Sequence, residues 1–275
     1  GNNRTEAEVE AAYPSKASRQ AQPLLAAGPG KSSLFFDGRD DYALVKRFAN
    51  LPTTRITVSA WVKVHKHKSY NRVLSHEWVG WGWNLYSDVT GLMRFGVGQD
   101  NKDFAAGRVI FRNKWHHVVG RYDGRHLQVF VDGIPGAKTK LPGARLDDSG
   151  YVAIGGAEFD PFFGEIDEIK VYNESLTDAE VASAMLRPRG HEGAGPGDQD
   201  QQGERGLVAH WKMDEAGGTI LMDSSPHQNH AFLGGGRRRP AWVQSGAPVT
   251  IPCVERGGSV TLSLKGVSSD GANPQ

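Results

Sequence analysis

Between Ile56 and Val64 the chain alternates: Ile56, Val58, Ala60, Val62 and Val64 take every second position, with Thr57, Ser59, Trp61 and Lys63 between them. Side chains of an extended strand point to opposite faces in turn. The stretch therefore predicts a half-buried strand with one apolar face. Shorter runs predict further strands at Leu34–Phe36, Tyr42–Val45, Val73–His76, Trp83–Tyr86, Leu92–Val97, Trp115–Arg121, Leu127–Val131, Tyr151–Gly155 and Ile166–Tyr172. Turns fall between them at Asp37-Gly38, Tyr122-Asp123-Gly124 and Asp132-Gly133, where glycine accepts positive φ freely. Many short strands at a spacing of roughly 8–12 residues predict an all-β protein, a β-sandwich or jelly roll. The one good helical segment is Thr177 to Leu186, where Thr177 and Glu180 form a capping box.

The flanks read differently. Residues 1–31 carry a short acidic patch at Glu6, Glu8 and Glu10 and then Ala, Gln, Gly and Pro, and predict a tail or linker with little core of its own, ahead of a compact domain at 32–187. Residues 188–205 are almost free of apolar side chains and predict a linker. New strand-like pieces then appear within 206–245: Leu207–Met213, Ala231–Leu233 and Ala241–Val243. Residues 246–275 hold one more alternating stretch, Ser259–Lys265, and a tail.

Composition narrows the function classes. Glycine (35) and proline (14) suit a turn-rich β chain, and a net charge of +1 gives no electrostatic case for nucleic acid or an anionic membrane. No apolar run approaches the ~18 residues of a membrane span, and no signal-peptide pattern opens the chain. Cys253 is the only cysteine, so neither an internal disulfide nor a thiolate zinc cage can form. The chain starts Gly1-Asn2-Asn3, as a processed product or a piece of a longer protein would.

Candidate chemistry concentrates in three places. Glu165 and Asp167 project to one face of a strand, as a pair of carboxylates at a glycosidic bond would, or as Asp167 would when ligating a buried cation. Trp78, Trp81 and Trp83 crowd a Gly-broken stretch; sugar rings stack on exposed indoles, with Asn84 or Asp88 to bind hydroxyls, and the alternative is that Trp83 and a neighbour are core. Asn3-Arg4-Thr5 and Asn173-Glu174-Ser175 match the N-glycosylation pattern at Asn3 and Asn173. The histidines offer little: His116 and His117 face opposite ways on a strand, and His65 and His67 lack a third metal ligand. Arg237-Arg238-Arg239 reads as a solvated turn.

An ordered series of short motifs resembles the laminin-G-like, concanavalin-A-like jelly-roll family. It comprises Leu34-Phe35-Phe36-Asp37-Gly38-Arg39-Asp40-Asp41-Tyr42, Thr57 to Val62, Trp115 to Val119, Tyr122-Asp123-Gly124, Val129 to Gly133, Gly164 to Asn173 and Leu176 to Val181. Residues 206–243 resemble that family's opening strands, displaced to follow the helix, and would either dock on the first domain or start a second. The resemblance implies a calcium ion held by Asp37 and Asp167, with Asp40 and Asp41 as helpers; the alternative is that these aspartates cap turns. Hydrolases that share the Glu165-Ile166-Asp167 pattern need a second Glu two or three positions on, where this chain has Ile169 and Lys170. The expectation is a non-catalytic extracellular or cell-surface module that binds carbohydrate or mediates adhesion, stabilised by calcium. The alternatives are a structural protein-interaction domain of a larger assembly, engaged through 1–31 and 206–275, and an unusual carbohydrate-active enzyme.

Overall fold

The computed structural model describes residues 32–78, 81–98, 104–146, 150–156, 160–186 and 204–246. The strands in chain order are β1 (Ser32–Asp37), β2 (Ala43–Val45), β3 (Ile56–Val64), β4 (Asn71–Trp78), β5 (Trp81–Ser87), β6 (Leu92–Val97), β7 (Phe104–Val109), β8 (Trp115–Tyr122) and β9 (His126–Val131). They continue with β10 (Ile134–Pro135), β11 (Thr139–Lys140), β12 (Val152–Ile154) and β13 (Phe163–Tyr172), then β14 (Leu207–Trp211), β15 (Ile220–Leu221), β16 (Ala231–Leu233) and β17 (Ala241–Gln244). One helix, α1 (Asp178–Leu186), separates β13 from β14. The expected tail 1–31, most of the linker 188–205 and the strand at Ser259–Lys265 lie outside the described residues.

Two antiparallel sheets pack as a jelly-roll-like sandwich. The first runs β10-β9-β8-β3-β13-β1-β17, with β11 beside β9 and β14 beside β13. The second runs β15-β16-β2-β12-β4-β5-β6-β7. Strand β3 sits centrally, between β8 and β13. Its five alternating apolar side chains all lie in the core, as their period demands. The opposite face is covered at Thr57 and Ser59, while Trp61 and Lys63 stay partly exposed. Thr57 is buried because its hydroxyl donates to the Glu174 carbonyl and accepts from the Leu176 amide, which ties the approach to α1 across it. The Thr177–Glu180 capping box closes that helix in both directions, and Leu176 and Val181 pack on Val119, Phe130 and Tyr172.

The segment after the linker does not stand apart. β14 pairs with β13, β16 with β2 and β17 with β1, so it extends both sheets. It places Val208, Trp211, Met213, Leu221 and Leu233 in the same core as β3.

β13 carries an irregularity that matters for its carboxylates. Its register to β3 shifts between Asp167 and Lys170, and Glu168 takes φ 49°. The extra residue is a β-bulge, which re-aims side chains locally.

Candidate functional site

The acidic loop after β1 brings three of the four expected metal ligands together. Asp37, Asp40 and Asp41 each present an oxygen within 4.8 Å of the others. That fits part of the six-to-eight-oxygen shell that calcium takes. The same carboxylates also hold the turn: Asp41 Oδ2 accepts from the Asp37 amide at 2.9 Å, and Asp37 Oδ1 from the Arg39 amide at 3.0 Å. Lys68 donates its ammonium to the carbonyls of Gly38 (2.7 Å) and Pro161 (3.1 Å), and burial lowers its pKa. Asp167 does not join this group, which corrects the expected pairing of Asp37 with Asp167. Asp37 lies opposite Phe163, four residues from Asp167 on the neighbouring strand. At ~3.3 Å per residue that is about 13 Å, too far for one ion. Asp167 is instead fully buried and accepts from Ser245 Oγ at 2.5 Å.

Glu165 and Asp167 do share a face of β13, because they oppose Lys63 and Trp61 on β3. Glu165 is engaged there: Lys63 Nζ donates to it at 2.9 Å and His65 Nε2 lies 3.3 Å from the same oxygen. Burial pushes the Glu165 pKa up, but His65 and Lys63 outweigh it and hold the carboxyl below its ordinary value. The bulge lets Glu168 reach His210 at 2.8 Å. Lys170 stands where a hydrolase of this pattern would carry its second acid, and donates to Glu204 at 2.9 Å; the Tyr172 hydroxyl donates to the same carboxylate. Along this strand Glu165 and Lys170 are held in salt bridges and Asp167 in a hydrogen bond to Ser245.

The tryptophan stretch forms the hairpin of β4 and β5, with Trp78 opposite Trp81, His76 opposite Trp83 and Ser75 opposite Asn84. The side chains of Trp78 and Trp81 lie outside the described residues. Trp83 is 0% exposed, packs in the core with Leu85 and stacks on His76, which corrects its assignment to a ligand surface. The physical reason is alternation, which sends positions 83 and 85 inward together. Asn84 turns to the other face and is also buried. Asp88 caps the turn after β5, accepting from Thr90 and Leu92 and pairing with Arg94 Nε at 2.8 Å. Burial raises the Asp88 pKa, but these bonds outweigh it and set it below the usual value.

The outer face of the second sheet holds an aromatic group that the sequence did not single out. Arg72, Tyr86 and Arg94 stand in register across β4, β5 and β6. The Tyr70 ring lies 5.2 Å from that of Tyr86 and is 46% exposed. Arg94 sits 4.4 Å over the Phe104 ring, which is 39% exposed. Arg72 NH2 pairs with Asp160 at 3.1 Å. Burial pushes the Tyr86 phenol up to about 12, so it stays a hydrogen-bond donor. Two exposed rings thus flank two Arg–Asp pairs, the chemistry of stacking plus hydroxyl recognition. Only strand register could have revealed it, since Tyr70 and Phe104 are 34 positions apart.

Comparison with known proteins follows the architecture. Residues 37–182 match the family model of the concanavalin A-like lectin/glucanases superfamily. No curated protein matches. A provisional carbohydrate-binding protein from Bacteroides ovatus is similar at TM-score 0.60 and 19% identity; the alignment covers 82% of this chain and 63% of that one. The heptameric SAP-like pentraxin of Limulus polyphemus aligns at TM-score 0.44 and 20% identity, over 57% of this chain and 82% of the pentraxin. Domain 4 of AbnA, an extracellular arabinanase of Geobacillus stearothermophilus, aligns at TM-score 0.41 and 19% identity, over 50% of this chain and 69% of that domain.

Proposed function

This chain belongs to the concanavalin A-like lectin/glucanase superfamily, and from that premise we propose that it is a non-catalytic carbohydrate-binding module acting outside the cell. The observation that carries the reading is the outer face of the second sheet. Tyr70 and Phe104 offer exposed rings for stacking beside the Arg72–Asp160 and Arg94–Asp88 pairs. The carbohydrate-binding description of the Bacteroides ovatus protein supports it. Glu165 and Asp167 take no catalytic part in this reading, since the first is neutralised by Lys63 and the second is buried. Calcium would be held by Asp37, Asp40 and Asp41 and would brace the loop leading into β2.

A second reading has its own observation. Ile220 and Phe232 oppose each other on β15 and β16 and are 39% and 48% exposed, with Met222 beside them at 49%. Such an apolar patch at a sheet edge suits contact with a protein surface in a larger assembly.

A glycan array probed with the purified chain, with calcium and again with chelator, tests the first reading. A defined sugar ligand is expected, and Tyr70→Ala or Phe104→Ala should each weaken it roughly tenfold, about 1.4 kcal/mol. Chelator should lower the melting temperature. A silent array from folded protein sinks the carbohydrate reading and leaves the patch at Ile220 and Phe232.

A further inference from the structure

We propose that Asn173 is a site of N-linked glycosylation, with an oligosaccharide as the attached group. The inference rests on the extracellular reading above. Asn173-Glu174-Ser175 supplies the acceptor amide and the hydroxyl two positions on. The fold places this tripeptide at the bend that follows β13, with Asn173 exposed. Its backbone is held on the inner side at two points: the Asn173 amide donates to the Gly206 carbonyl at 2.8 Å, and the Glu174 carbonyl accepts from Thr57 Oγ1 at 2.8 Å. The side chain is therefore free to carry a bulky group without disturbing a bond that closes the sandwich.

Gly206 makes the room. It takes φ +75°, and a Cβ there would fall 2.6 Å from Glu174 Cγ and 3.0 Å from Asn173 Oδ1. A glycan at Asn173 stands beside the start of β14, which pairs with β13 on one side. Its other side carries, among the described residues, the single bridge Trp211–Asp223. A hydrophilic chain at that point shields a strand edge from pairing with another molecule.

The transfer is a substitution at an anomeric carbon. The Asn173 Nδ2 attacks C1 of an oligosaccharide carried on a polyprenyl diphosphate. The Nδ2–C1 bond forms, the C1–O bond to the diphosphate breaks, the polyprenyl diphosphate leaves with the bonding pair, and the amide gives up one proton to a base of the transferring enzyme. No oxidation or reduction occurs.

The test uses the full 275-residue chain, placed behind a cleavable secretory leader in a eukaryotic cell. Peptide mapping follows release of glycans by an amidase in heavy-oxygen water. A heavy-oxygen-labelled aspartate at position 173 is expected, lost in Asn173→Gln and in Ser175→Ala and retained in Ser175→Thr. Mapping at the peptide level separates this site from Asn3. It is read on the luminal and the secreted fractions alike, so a variant that is retained still reports. An unmodified Asn173 peptide from both fractions overturns the proposal. Because the leader is supplied, that outcome is distinct from failure of the extracellular reading, which would show as absence of export from the native gene.

Discussion

Asn229 is 2% exposed, and its carboxamide closes three bonds: it accepts from the Ala49 amide at 2.6 Å and donates to the carbonyls of Ala49 at 3.1 Å and Val208 at 2.8 Å. The loop before β3 is thereby tied to β14. Asn229→Ala removes all three bonds, but Ala49 is exposed and the Val208 carbonyl keeps the Ser225 hydroxyl, so a loss of about 1–2 kcal/mol is expected by urea denaturation, with the slope unchanged. His117 predicts a pH effect. Burial lowers its pKa from 6.5 to about 4, so the unfolded chain takes up a proton there before the folded one does. Stability from this group is therefore complete above pH 6.5 and declines as pH falls towards 4, by up to about 3 kcal/mol. His117→Gln should flatten the stability profile between those limits, and an unchanged slope would refute the assignment. The motif at Asp37, Asp40 and Asp41 puts three carboxylates close in sequence and in space, whereas the two readings open for Trp83, ligand surface or core, differ only in which side of its strand is covered, and it lies in the core. A tryptophan's identity does not say which face of its strand meets the other sheet.

β13 shows what an element can hide. Its alternation was legible from Ile166 to Tyr172, and the shared face of Glu165 and Asp167 followed from it. The bulge at Glu168 was not, because one extra residue leaves no mark in the apolar pattern. Gly164 opens the same strand with φ +151°, and a Cβ there would sit 2.1 Å from the Lys63 carbonyl oxygen. Gly164→Ala must part β13 from β3, and about 3 kcal/mol or more of stability should go with it. A melting temperature within error of the parent would refute the close approach. The capping box of α1 was readable because it depends on residues three apart. β7 escaped because Phe104 to Val109 includes Ala105, Ala106 and Gly107, which give no period. It is a strand because β6 lies beside it.

The whole molecule is a sandwich completed from its far end. Val208, Trp211, Met213, Leu221 and Leu233 reach the core only because β14, β15 and β16 dock across the linker. At about 1.5–3 kcal/mol each, their burial is worth on the order of 10 kcal/mol, comparable with the net stability of a typical domain. A chain ending at residue 186 should therefore lose its cooperative unfolding transition and bind apolar dye, and a peptide of 204–246 added in trans should restore the transition. A truncated chain that melts like the parent would show the appended strands to be dispensable. By itself the sequence determined the all-β class, most strand positions, the helix and its cap, and the acidic loop, since each is written in neighbours within a few residues. Which faces are covered, that Asp167 lies apart from Asp37, and that Tyr70 and Phe104 share a surface were decided by tertiary structure. Those facts depend on register between distant strands, and register is settled when the two sheets close on one core.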